Sequence, residues 1–309
     1  MMQTYGTTAI AFIMLLSLPL FSSRTAAAAD VSAGATVWYA WWRAAHSQVD
    51  ADFGISNDRL QTMSAFMYGP VVSVKFHDDW TLSSRFMIGN FGVKELEGRA
   101  YGTNYDTFTT RYRVLKYDSD TTLGYSVSRY VRLFAGVKIM GYQRFLNRRS
   151  NINIYPFSVL ENYVYITENA FSTTYGPGGG LGLVAPLADG LYASLNVNGL
   201  YTVGESQTRL YSYVPNRPVL LGGSDITRYI SGEFSTVADV VMWGGNIDAA
   251  VSYYILSVRT TVAIGGRFQI LKVLARDRRD AVTPSDGSDR DYQDIFGGIT
   301  VSVLYYFGG

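Results

Sequence analysis

The sequence predicts an all-β fold: a closed, antiparallel, up-and-down transmembrane β-barrel of about ten strands. Three observations predict it. Apolar and polar residues alternate with period two in repeated segments after residue 30, as strand side chains point to opposite faces in turn. Short turns alternate with long polar stretches between those segments, the loop asymmetry of a membrane barrel. Charged residues make up 17% and aromatic residues 15% of the chain, with 24 Tyr and 31 Gly. An ordinary soluble domain carries about 25% charged residues, whereas barrels in lipid use aromatic girdles and tight turns. After the N-terminal segment no run approaches the length of about 18 apolar residues that a spanning helix needs. Backbone in lipid must be paired internally, which leaves a closed barrel.

Taken in order, the first element is a targeting segment. Residues 9–21 (AIAFIMLLSLPLF) are apolar but too short to span a bilayer as a helix. No basic side chain precedes them; four alanines, Ala26 to Ala29, follow before Asp30. This pattern predicts a signal peptide over 1–29, cut near Ala28 or Ala29, and a barrel over 30–309.

Ten strands are expected at 31–45, 60–76, 80–91, 109–128, 131–145, 169–187, 190–204, 240–255, 258–274 and 291–307. In 131–139, Val131, Leu133, Ala135, Val137 and Ile139 alternate with Arg132, Phe134, Gly136 and Lys138. In 258–270, Val258, Val262, Ile264 and Phe268 alternate with Arg259, Thr261, Arg267 and Gln269. Leu191, Ala193, Leu195 and Val197 alternate with Tyr192, Ser194, Asn196 and Asn198. In the last strand Ile299, Val301, Val303, Tyr305 and Phe307 alternate with Phe296, Gly298, Thr300 and Ser302. The short links are His77-Asp78-Asp79, Ser128-Arg129-Tyr130, Ala188-Asp189-Gly190 and Leu256-Ser257. Long outer loops are expected at 46–59, 92–108, 146–168, 205–239 and 275–290. A hairpin hidden in 205–239 would make twelve strands; the preferred reading is a loop whose flanking strands extend past the membrane. The even count puts both termini on the short-turn side.

Composition also excludes classes of function. Lys+Arg 26 against Asp+Glu 25 leaves no basic surplus for nucleic acid. With no Cys, thiolate metal sites, Fe–S clusters, cysteine nucleophiles and disulfides are all absent. No metal or cofactor is expected. Asp118 and Asp120 form a D-x-D, but calcium wants six or more oxygens, so ion pairing inside the lumen is the expected role. The run 176–182 (GPGGGLG) resembles a nucleotide loop and 180–185 fits G-x-G-x-x-A. Pro186 follows at once, so no helix starts there to meet a phosphate. Inward-facing Gly178, Gly180 and Gly182 are read instead as leaving room inside the barrel or relieving curvature.

The Ala-rich export site, the ten alternating segments and the ending 301–307 (VSVLYYF) resemble bacterial outer-membrane β-barrel proteins in general. That resemblance implies the cell outer membrane, contact with its lipid, and recognition of the last strand by the barrel-insertion machinery. Gly308 and Gly309 follow the terminal aromatic, a small departure from the usual ending. A ten-stranded barrel also resembles the omptin proteases, whose catalytic Asp pairs and Asp–His couple lie at the outer rim. This chain has two histidines. His77 falls in an expected periplasmic turn, and His46 sits at the outer end of the first strand, with Asp50 and Asp52 nearby. No Asp-x-His spacing occurs, and a base needs an oriented partner. The chain is therefore not expected to be an enzyme.

Carrying the alternation through each strand gives a lumen-lining set. Arg85, Asp120, Lys138, Asn196, Asp248 and Arg267 are expected near mid-depth, and Lys75, Arg132 and Arg259 nearer the periplasmic mouth. Lys116, Asp118, Arg144 and Asp294 are expected toward the outside. Two readings of function follow. About eight strands are filled by their own side chains, whereas 16–18 leave a channel, so one reading is a mostly closed lumen with Tyr-rich outer loops serving binding or structure. Those loops carry Tyr155, Phe157, Tyr163, Tyr165, Tyr211, Tyr213 and Arg217. The alternative is a narrow, porin-like channel that favours anions, because basic residues outnumber acids in the lumen set. The surface ligand is not legible. A sheet closed on itself needs no partner subunit, so a monomer is expected.

Overall fold

The computed structural model describes residues 30–45, 62–99, 106–152, 162–213, 220–221, 224–225, 232–277 and 291–307. The strands are β1 (Asp30–Arg43), β2 (Met63–His77), β3 (Trp80–Arg99), β4 (Asp106–Ser126), β5 (Val131–Ile152) and β6 (Asn162–Ala188). They continue with β7 (Leu191–Tyr213), β8 (Leu220–Leu221), β9 (Ser224–Asp225), β10 (Gly232–Ile255), β11 (Thr260–Asp277) and β12 (Asp291–Phe307). Ten of them close one barrel in the order β1-β12-β11-β10-β7-β6-β5-β4-β3-β2, every pairing antiparallel. β8 and β9 pair only with each other and stand outside the ring. The 205–239 segment thus contributes a minimal hairpin and two strand extensions, and the barrel keeps ten strands.

At the short-turn end the strand boundaries fall within a few residues of the sequence expectation. At the other end the strands run much further. β5, β6, β7 and β10 have 22, 27, 23 and 24 residues, where crossing a bilayer takes about 9–11. The polar stretches at 92–108, 146–168 and 205–239 are largely these extensions. Alternation that ends at the membrane surface cannot mark a strand that continues through water, because both of its faces are then free to be polar. The residues 1–29 and the loop at 46–59 lie outside the described residues.

Two turns show the local chemistry. Gly190, between β6 and β7, has φ +73, a left-handed conformation that glycine adopts without a Cβ penalty. Its carbonyl accepts from the Tyr254 amide at 2.7 Å. Arg259 closes the β10–β11 turn at φ 48.

Two Gly-Pro pairs sit inside strands. Pro70 in β2 and Pro177 in β6 cannot donate to the neighbouring strand, and the ladder pairing lapses beside each without a change of register. The partner carbonyl turns instead onto the preceding glycine. A Cβ on Gly69 would lie 1.9 Å from the Phe86 oxygen, and one on Gly176 would lie 2.1 Å from the Tyr201 oxygen. Glycine is needed at both because the backbones approach too closely for a side chain. Gly176→Val is expected to cost about 1–3 kcal/mol, the usual penalty of overpacking, read as a lower denaturation midpoint. Gly92, with nothing within 4 Å of its would-be Cβ, supplies the control: Gly92→Val should leave the midpoint in place.

The exterior is greasy. Val37, Phe66, Tyr68, Leu133, Val137, Ile264, Ile299 and Val301 are all exposed on outward positions. In water such a continuous band would be an aggregation surface; around a closed barrel it is the lipid-facing belt. One half-buried hydroxyl on the outer face is paired within it. Tyr117 covers Gly141 from outside and its hydroxyl hydrogen-bonds Thr173 Oγ1. A closed antiparallel barrel with this apolar exterior has the architecture of a membrane-spanning β-barrel.

Candidate functional site

The interior divides into three levels along the barrel axis. The middle level is ionic. Asp120 on β4 accepts from Lys138 Nζ at 3.0 Å, from Arg85 Nη2 at 3.2 Å and from Arg267 Nη2 at 3.0 Å. Lys138 also donates to Asp118 at 2.8 Å, and Arg267 Nε lies 3.7 Å from Asp248. β11 and β4 are five places apart in a ring of ten, so the Arg267–Asp120 contact spans the full diameter. Strand alternation delivers these side chains to one side of the sheet; closure brings them together.

The level nearer the short turns is a polar cavity of about 260 Å³. Arg85, Asp120, Arg132, Asn196, Asn198, Asn246 and Asp248 line it, with Ser83, Thr122, Thr300 and Ser302. Solvent reaches its upper boundary and stops. The side chains of Arg85, Asp120 and Asp248 are 27%, 16% and 24% exposed, while those of Lys138, Asp118 and Arg267 are 3%, 1% and 1%. The drop occurs between Asp120 and Asp118, one inward step up the same strand.

The level beyond the ions is mostly apolar. Trp38, Trp42, Phe91, Phe296, Met67, Met87, Val114 and Leu146 form one buried cluster there. Trp42 meets Phe91 at 5.2 Å and Tyr142 at 6.1 Å between ring centroids. Tyr142 is on β5, four places from β1 around the ring, so this contact also crosses the lumen. Met140, Leu200 and Leu271 cover the opposite wall, and Gln269 Nε2 reaches Met140 Sδ at 3.6 Å. Charges within this level are individually held. Lys116 Nζ sits 4.3 Å from the Trp42 ring centroid and 5.1 Å from that of Phe296, close enough for cation–π attraction. On its other side Trp42 Nε1 donates to Asp294 at 3.0 Å. Arg144 and Glu168 form a buried ion pair.

Each residue of the expected lumen set has a definite place. Arg85, Asp120, Arg132, Asn196 and Asp248 line the cavity; Lys138 and Arg267 cap it; Asp294 belongs to the aromatic level. Lys75 is exposed at the short-turn end of β2. Arg259 is exposed in the β10–β11 turn, one residue before β11, where strand alternation no longer applies. His77 is exposed at the end of β2 beside the Asp78-Asp79 turn; His46, Asp50 and Asp52 lie outside the described residues. The 176–182 glycine run is the middle of β6. Gly182 does leave room: its absent Cβ would be 2.7 Å from Asn196 Oδ1 and 3.7 Å from Arg132 Nε.

The aromatic level was missed by sequence reasoning. Its signal is present, since Trp38 and Trp42 share parity with the inward Thr36, and Phe296 with the inward Thr300. A face that carries Trp and Phe at inward parity is dry, even when the rest of that face is polar.

No protein-family model matches the chain, and no curated protein matches it. Solved structures give partial likenesses. The outer membrane protease OmpT from Escherichia coli is 9% identical over 90% of this chain and 96% of its own, with a TM-score of 0.47. The toluene transporter TodX of P. putida is 10% identical over 91% and 90%, at 0.35. The translocator domain of the autotransporter NalP from Neisseria meningitidis is 13% identical over 98% of each, at 0.28. The fold assignment stands on this chain's own strand pairing and closure, without weight from these scores.

Proposed function

We propose that this protein is a bacterial outer-membrane β-barrel, monomeric and closed to solute flow, whose outer end serves as a binding or structural surface. The observation that carries the reading is the filled lumen. Trp38, Trp42, Phe91 and Phe296 are almost wholly buried, and the Arg267–Asp120 pair beneath them crosses the barrel. A water-filled channel would leave such side chains wet. Residues 1–29 are the export signal under this reading, and the last strand, ending at Phe307, is the segment offered to the insertion machinery. No chemistry of an enzyme or a cofactor is assigned.

The exposed outer surface is then a wall of sheet. The extended ends of β3 to β7 and β10 are contiguous in the ring. Tyr163, Tyr165, Tyr211 and Tyr213 lie in these strands, with Tyr165 paired to Tyr213; Tyr155, Phe157 and Arg217 lie outside the described residues. Tyr is favoured at binding hot spots, and Tyr211 is exposed.

Planar-bilayer recording of the refolded chain from Asp30 tests the closed lumen. Silence from a barrel shown to be folded is expected. Steady conductance, with an anion preference that Arg85→Ala or Lys138→Ala abolishes, would replace this reading with the porin-like one.

A further inference from the structure

The cavity in the short-turn half of the lumen carries polar groups that the fold leaves unmet. Arg132 Nε is buried without a hydrogen-bond partner, and no carboxylate lies within ion-pair distance of Arg132 among the described residues. Asn198 and Asn246 each bury a side-chain carbonyl oxygen that receives no donor. Asn246 is 3% exposed and faces the cavity. Buried polar groups are nearly always satisfied in native proteins, so unmet ones around a void call for an occupant.

The register shows how these groups are laid out. Arg132 pairs with Gly182, Gly182 with Asn196, and Asn196 with Asp248, one line of residues across four strands. Asn198 and Asn246 are paired on the adjacent inward line. Gly182 and Gly124 contribute no side chains, and Arg132 Nε sits between them, 3.7 Å and 3.5 Å from where their Cβ atoms would be, while Asn196 Oδ1 lies 2.7 Å from that of Gly182. One part of the wall thus offers a cation and another offers acceptors. The charge is also uneven. Four cations (Arg85, Arg132, Lys138, Arg267) face three carboxylates (Asp118, Asp120, Asp248), and the ion pairs leave Arg132 as the surplus.

We infer that this cavity binds a small organic monoanion that carries hydroxyl groups, of the hydroxycarboxylate class. The carboxylate accepts from Arg132, and the hydroxyls donate to Asn198 and Asn246. Water is the competing occupant; it can meet the amides but cannot neutralise Arg132. A cavity of about 260 Å³ has room for an acid of three or four carbons. Entry is from the short-turn end, because the ionic and aromatic levels close the other side.

Titration calorimetry of the folded chain from Asp30 in detergent micelles, at fixed pH and ionic strength, tests the site with three probes. Glycerate has both features, propionate lacks the hydroxyls, and glycerol lacks the charge. Glycerate is expected to bind saturably and at least tenfold more tightly than either analogue. Arg132→Gln should weaken glycerate at least tenfold, with Arg132→Lys recovering part of the loss. Asn246→Ala should narrow the gap between glycerate and propionate. Arg132 anchors no ion pair, so its variants are expected to fold, which strand circular dichroism checks. Absence of saturable glycerate binding, equal affinity for all three probes, or wild-type affinity in Arg132→Gln would overturn the proposal. Conduction is a separate readout: a conducting barrel that binds glycerate refutes only the closed lumen, and a silent barrel that does not bind refutes only this site.

Discussion

Asp120→Ala is expected to destabilise the barrel by about 3–5 kcal/mol, the cost of removing one partner from a buried ion pair. Asp120 is the shared acceptor of Lys138, Arg85 and Arg267. Without it Arg85 has no carboxylate within reach among the described residues, and Arg267 keeps only the 3.7 Å approach to Asp248. The loss comes chiefly from stranded, desolvated cations rather than from the pairs' own attraction. Urea unfolding of the barrel refolded in lipid vesicles, followed by tryptophan emission, measures it. Arg85→Met should cost under about 1 kcal/mol, since a partly exposed ion pair is screened by water. In the Asp120→Ala background Arg85→Met should recover stability by removing one stranded charge. An unchanged midpoint in Asp120→Ala would mean that water reaches the cations, and the ionic level would no longer count as a seal.

Trp42→Ala is expected to be comparably damaging, about 3–5 kcal/mol for deletion of a large buried aromatic. Trp42 joins Phe91, Phe296 and Tyr142 and stands between two opposite charges. Its ring faces Lys116 and its indole N–H serves Asp294. Trp42→Phe separates these roles. Phenylalanine keeps a ring for Lys116 and most of the volume but cannot donate to Asp294, so an intermediate loss of about 1–3 kcal/mol is expected for the unmet acceptor. Equal losses in the two variants would show that the hydrogen bond, and not the packing, dominates. Wild-type stability in Trp42→Ala would contradict a filled lumen.

Much of the fold was legible because a strand's period is local. Each residue of β5, β11 and β12 takes a face according to its neighbours two places away, and the exterior must be apolar throughout. Turn positions were legible for a similar reason: Asp189-Gly190 and Asp78-Asp79 carry their conformational preference in a few residues. The outer strand ends were not legible. Beyond the membrane neither face must be apolar, so β6 begins at Asn162 and not at 169, with no periodicity to announce it. The candidate site divides along the same line. Inward parity marks Arg85, Lys138 and Arg267 by sequence alone, but it treats the lumen as uniformly wet and passes over Trp38, Trp42 and Phe296.

By itself, then, the sequence determined the fold class, the alternation of faces along strands such as β5, β11 and β12, and the places where the chain turns back, since all three rest on short-range geometry. Only the tertiary structure decided which side chains meet. Arg267 and Asp120 are 147 residues apart and touch because ten strands close at one diameter and one register, quantities that belong to the ring and to no single strand. The same closure puts Trp42 against Tyr142 and shapes the cavity below the ions, where Ala250, Ala263 and Gly266 on two neighbouring strands carry little side chain.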